Sequence, residues 1–158
     1  MLVINFLVIM DLNKWLYDLY VEYIRIRKCK EDFQVKFYRF DQEVGKGIAH
    51  FNSNFIMSRI IKTEKPTQIG CMHLGPNGIV GFHQAVVSQL MLIVGGEGWV
   101  RGDAAEKYFV KSGDAVYWEK GEGHETATNT GLTAIVIESE ELNPSNFMPV
   151  KASESFSL

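Results

Sequence analysis

Residues 78–96 read GIVGFHQAVVSQLMLIVGG, and residues 113–124 read GDAVYWEKGEGH. Each is a glycine-bounded run with one histidine, and residues 97–112 separate them. If the first run is extended, alternation puts His83, Ala85, Val87, Gln89, Met91 and Ile93 on one face. Gln84, Val86, Ser88, Leu90, Leu92 and Val94 take the other. Both faces are apolar from Val86 to Val94, which predicts a strand buried on both sides. His83 and Gln89 are the polar exceptions on the first face. In the second run and just beyond it, His124, Thr126 and Thr128 share one face, and Glu125 and Ala127 share the other.

Working outward, the same strand character fills most of the chain. Short runs rich in Val, Ile, Phe, Tyr and Thr recur at 35–40, 55–62, 67–74, 86–94, 98–101, 107–110, 115–118, 125–128 and 133–138. Gly75-Pro76-Asn77-Gly78, Gly95-Gly96, Gly102-Asp103, Gly113-Asp114 and Asn129-Thr130-Gly131 punctuate them as turns. Many short strands with no long helical run predict an all-β sandwich or barrel. Residues 1–34 differ. Leu12, Trp15, Leu16, Leu19, Tyr20, Tyr23 and Ile24 fall at helical spacing, with Asp11 placed to cap the helix. The expected organisation is an N-terminal helical extension outside the core fold (1–34), a β-barrel (35–141) and an irregular C-terminal tail or strap (142–158).

Composition narrows the partners. The 158 residues carry 46% apolar and 22% charged residues, ordinary for a globular domain, with a net charge of −3. In residues 1–34 five bases (Lys14, Arg25, Arg27, Lys28, Lys30) balance five acids (Asp11, Asp18, Glu22, Glu31, Asp32), so the barrel region carries the whole deficit. No basic cluster is present, which argues against nucleic-acid binding. The apolar start, MLVINFLVIM, is short for a membrane span and lacks the flanks of a signal peptide, so no membrane role is expected. Cys29 and Cys71 make no zinc spacing and no disulfide framework, consistent with a reducing cytoplasm.

The two glycine-bounded runs resemble the paired motifs of the cupin superfamily, G-x5-H-x-H-x3-E-x6-G followed by G-x5-P-x-G-x2-H-x3-N. Gly78 lies one residue nearer its histidine than in the family form. His83 and Gly96 fit, while Ala85 stands at the second histidine and Gln89 at the glutamate. Gly113, Gly121 and His124 fit the second motif, Glu119 replaces its proline, and Thr128 sits at its asparagine. The resemblance covers roughly residues 37–140. It implies a jelly-roll barrel, a double-stranded β-helix, and a homodimer paired through sheet faces. In metal-binding cupins the two histidines and the glutamate of the first motif, with the histidine of the second, hold one divalent ion. Carried over, that set becomes His83, Gln89 and His124, two imidazoles and an amide without a carboxylate. Glu119, Glu122 and Glu125 are near His124 in sequence, but Glu125 faces the other way.

No cofactor is certain on these residues. The leading expectation is a barrel that binds a small molecule in an interior lined by His83, Ala85, Gln89, Met91, His124 and Thr126, with metal binding weakened or lost. The alternative is a metal-dependent enzyme, a dioxygenase or isomerase, using His83, Gln89 and His124 around iron, manganese, nickel or zinc. The third is an interaction module. Ordinary roles remain open for each residue: His83 bonded to Gln89 at a barrel mouth, Trp99, Tyr117 and Trp118 as wall, Met72 and Met91 as core. His50 and His73 have no motif support, and Cys71 and the serines show no motif of an activated nucleophile.

Overall fold

The computed structural model describes residues 14–24 and 35–152. The chain divides into two units, residues 1–34 and 35–158. In the first, residues 14–24 form one helix on which Trp15, Leu16, Leu19, Tyr20, Tyr23 and Ile24 are all exposed. Asp11 and Leu12, the expected cap and first apolar position, lie outside the described residues. No helix among the described residues is long and apolar enough to cross a membrane.

The second unit is all β. Its strands are β1 (Lys36–Arg39), β2 (Lys46–Ile48), β3 (Phe55–Met57), β4 (Thr67–Leu74), β5 (Ile79–Gln84), β6 (Ser88–Arg101), β7 (Tyr108–Lys111), β8 (Asp114–Trp118), β9 (Gly123–Ala127) and β10 (Leu132–Ser139). All pairings are antiparallel. One sheet runs β1-β8-β6-β10-β4, and β6 continues into a second set in which β7 and β9 flank it and β5 pairs β9. The fold is the all-β, cupin-type jelly-roll barrel that the two motifs imply, with a helix in the N-terminal segment.

β6 explains how one strand serves both layers. Gln89–Leu92 pair with β8, residues 88–96 with β10, and residues 97–101 with β7 and β9. The expectation of two strands, 86–94 and 98–101, is corrected: Gly95-Gly96 is a corner within one strand, not a turn between two. A bulge sits at the corner, where the register slips between Thr133 and Ala134 and leaves Val94 unpaired. Gly96 has φ +74°, and a Cβ there would collide with the carbonyl of Gly131. A glycine is therefore required to bend β6 against the 128–131 turn.

The expected burial on both sides holds at Leu90–Ile93, whereas Val86, which precedes β6, and Val94, at its bulge, are exposed. Met91 and Ile93 join Phe37, Val100, Val110, Val116, Trp118 and Ala134 in the barrel interior. Leu90 and Leu92 join Tyr38, Ala115, Tyr117 and Ile137 in an outer cluster, covered by Leu142 and Met148 and flanked by Ile60 and Ile61. Each fully buried aliphatic side chain contributes about 1.5–3 kcal/mol. The apolar run 55–62 is a strand only at Phe55–Met57, and its remainder supplies that cover. β5, with Gly81 in its middle, is a strand the sequence pattern did not single out. After Leu142 the chain straps back over β1: Arg39 N–H donates to Pro149 O at 3.1 Å and Lys151 N–H to Phe37 O at 2.8 Å. Lys151 also pairs with the buried Asp114 at 2.8 Å.

Candidate functional site

The two motif histidines meet. In the β5–β9 register His83 lies directly opposite His124, and their rings are 4.3 Å apart at 54°. His124 is buried, while the His83 side of the pair is open to solvent. On its other side His124 stacks on Trp118, at 4.5 Å and 23°. A row of three rings therefore runs from the barrel surface inward.

Backbone carbonyls orient both imidazoles. His83 Nδ1 is 2.8 Å from Gly81 O, and His124 Nδ1 is 3.5 Å from Glu122 O. A carbonyl oxygen only accepts, so in the neutral ring Nδ1 carries the proton and Nε2 presents a lone pair. His83 donates its hydrogen bond to Gly81 O and makes none with Gln89. Burial, and secondarily the neighbouring His83, pushes His124 down to about 4. It is a neutral acceptor near pH 7.

The other expected residues gather around this pair to different degrees. Thr126 is buried one step further along β9 and its hydroxyl donates to Met91 Sδ at 3.9 Å. Ala85 is buried and extends the β5–β9 ladder: its N–H donates to Glu122 O at 2.9 Å, and its carbonyl accepts from Gly121 at 2.8 Å. Gln89 lies opposite Trp118 on one side and Glu138 on the other, so the three share the interior face at one end of the barrel. No hydrogen bond joins Gln89 to either histidine among the described residues. Thr128, at the motif's asparagine, is a turn staple: it donates to Glu97 O at 2.7 Å and accepts from Gly131 N–H at 2.9 Å.

Two further side chains contribute: Trp118, expected as barrel wall, and Glu122, one of the three acids expected near His124. Trp118 Nε1 is buried without a hydrogen-bond partner among the described residues. Glu122 is fully buried, with Oε2 accepting from Glu119 N–H at 2.5 Å and Oε1 unpartnered. Burial raises its carboxyl above the usual range. Gly123 leaves room for the Phe82 ring, which a Cβ would strike, and its N–H donates to Asp103 at 3.1 Å. Glu119 turns out to Lys36 at 2.6 Å and Glu125 to Arg101 at 3.1 Å. Neither supplies a charge to the histidines.

Metal fit follows from the donor set. Two imidazoles and an amide bring no negative charge, and a divalent ion favours a carboxylate. Among the described residues no group of three or more His, Cys, Asp or Glu is arranged to hold a metal ion. The residues present do not fit a tightly held divalent ion.

No family model matches the chain, and no curated protein matches it in sequence. Solved structures share the fold. A cupin superfamily protein from Desulfitobacterium hafniense DCB-2 is 18% identical, with TM-score 0.45, over 51% of this chain and 72% of that one. A cupin-like protein from Thermotoga maritima MSB8 is 20% identical, with TM-score 0.45, over 47% and 57%. An RmlC-like cupin from Shewanella frigidimarina NCIMB 400 is 20% identical, with TM-score 0.44, over 48% and 67%. The fold assignment stands on strand order and register, and the site on its own geometry.

Proposed function

We propose that this cupin-fold chain binds a small neutral organic molecule at the His83–His124–Trp118 end of the barrel, without a resident metal. The observation that carries this is the direction of the two shifted groups. Burial holds His124 deprotonated and favours the protonated form of Glu122, so the same desolvation removes charge from both. Such a site penalises an ion and accepts a neutral guest.

The polar groups set the guest's chemistry. The Nε2 lone pairs of His83 and His124 call for a donor, and Trp118 Nε1 calls for an acceptor. Met91, Val116 and Ile93 offer an apolar wall. A buried polar atom left unpaired costs about 1–3 kcal/mol, so a guest that pairs with it gains affinity. A small alcohol, phenol or primary amide combines these features. The role is carriage or sensing, and the expected homodimer and cytoplasmic setting belong to the same proposal.

The test uses protein purified without a polyhistidine tag. Bound metal is quantified after incubation with iron, manganese, nickel and zinc, and thermal unfolding is followed with a panel of neutral alcohols, phenols and amides beside carboxylates. The expected result is metal well below one per chain and stabilisation by neutral members, lost in His124→Gln. Near-stoichiometric metal that disappears in His124→Ala overturns the proposal, and so does a panel with no stabilising member.

A further inference from the structure

A second constellation lies on the outer face of the first sheet. Cys71 and His73 are two residues apart on β4, so alternation puts both side chains on one face. Their cross-strand partners on β10 are Ile135 and Thr133, and Ile135 packs against the outer cluster. The intervening Met72 and the following Leu74 pack into the interior instead. Cys71 is exposed, and its Sγ is 3.4 Å from His73 Nε2. His73 Nδ1 is 3.5 Å from Thr133 Oγ1.

The Thr133 hydroxyl can donate to Nδ1 or accept from it; in the tautomer with Nδ1–H donating to Thr133, Nε2 is the imidazole's acceptor and faces the thiol. A nucleophile, a base and a group that orients the base are thereby aligned across two strands. Beside Cys71 runs a groove of about 610 Å³ whose lining includes Ile69, Ile135, Val94, Arg59 and Lys62. Ile69 precedes Cys71 by two on the same face, and Ile135 is opposite it, so two residues that line the groove neighbour the thiol. It combines apolar wall with positive charge.

We propose that Cys71 is a nucleophilic thiol, with His73 as its base, that forms a mixed disulfide with small anionic organic disulfides seated in this groove. The Cys71 sulfur attacks one sulfur of R–S–S–R as its proton passes to His73 Nε2. The new S–S bond of Cys71–S–S–R forms, the S–S bond of the attacked disulfide breaks, and the leaving thiolate R–S⁻ takes the proton from His73. The disulfide is itself the oxidant, so Cys71 is oxidised and one R–SH is released. Thr133 is a positioning residue that holds the imidazole.

The test uses the full chain with Cys29→Ser, leaving one thiol, and the probe 5,5′-dithiobis(2-nitrobenzoic acid). One equivalent of aromatic thiolate is expected, with the adduct mapped to Cys71 by peptide mass spectrometry. His73→Ala is expected to slow release on the order of tenfold or more, with added imidazole restoring part of the rate. Thr133→Val gives a smaller loss with the unfolding midpoint measured alongside, and Cys71→Ser releases nothing. The proposal is overturned if Cys71 does not react, if His73→Ala and His73→Gln both react as fast as the parent, or if imidazole restores nothing.

Discussion

Lowering the pH from 7 to 5 tests the electrostatics of the histidine pair directly. His124 has a folded value of about 4 against an ordinary 6.5, and burial is the larger cause. Between those values the unfolded chain binds more protons than the native one, so stability falls as pH falls. The whole shift corresponds to about 3 kcal/mol, of which about 2 kcal/mol is lost between pH 7 and pH 5. Glu122 acts in the opposite sense. Its raised folded value gives stability that is full at low pH and declines as pH rises through that value. Asp41 and Glu125, held low by Arg39 and Arg101, lose stability on acidification. These groups are common to parent and variant, so the informative quantity is a difference. Urea unfolding of the parent and of His124→Gln at both pH values should show the parent losing about 2 kcal/mol more than the variant. His83→Gln should keep most of the parent's dependence, because the His83 charge is the lesser cause. Equal pH dependence in parent and His124→Gln refutes the burial argument. Loss of the dependence in His83→Gln would assign it to the neighbouring charge instead.

Three further outcomes follow from the frame around the site. Gly96→Ala places a Cβ against the Gly131 carbonyl at φ +74° and should cost about 2–4 kcal/mol in chemical denaturation. Thr128→Val removes the hydrogen bonds to Glu97 O and from Gly131 N–H, and should lower unfolding free energy by about 2–3 kcal/mol. Glu122→Gln keeps an oxygen for the Glu119 N–H and removes a buried ionisable group, so denaturation followed as pH rises above the ordinary carboxyl value should show the parent losing stability relative to the variant.

The fold was readable because alternation and glycine punctuation are local. β4 spans the expected 67–74, and the two-sided burial of β6 follows from its unbroken apolar run. What failed was local too. Gly95-Gly96 has the composition of a turn, and only its pairing with both β10 and β7 reveals a corner. Ile60 and Ile61 are apolar because they pack against the outer cluster, a reason indistinguishable in sequence from strand burial. The histidine pair was half legible. Motif spacing named both residues, but ring contact requires the β5–β9 register, and β5 was hidden by Gly81. Trp118 reads only as wall in the sequence and Glu122 only as one of three nearby acids, because their meaning lies in unpaired atoms, which only packing defines. Cys71 and His73 carry no motif in the sequence, and their contact, with Thr133 beside it, required the β4–β10 pairing.

The two constellations lie on different strands, β5, β8 and β9 for the inner one and β4 and β10 for the outer one, and are chemically independent. On β4 and β10, Met72 and Ala134 face the interior with Ile93, while Cys71, His73 and Thr133 face outward. Within the inner pair His124 sits where burial suppresses charge, so it works as a neutral hydrogen-bond acceptor. The outer pair sits in solvent, where a transient imidazolium and thiolate are hydrated and proton transfer is affordable. The same residue type therefore serves two purposes according to which face of the sheet it occupies. Substitution at His73 should leave recognition of a neutral guest intact, and substitution at His124 should leave thiol reactivity intact. Either result can fail without the other, which keeps the two readings separable by experiment.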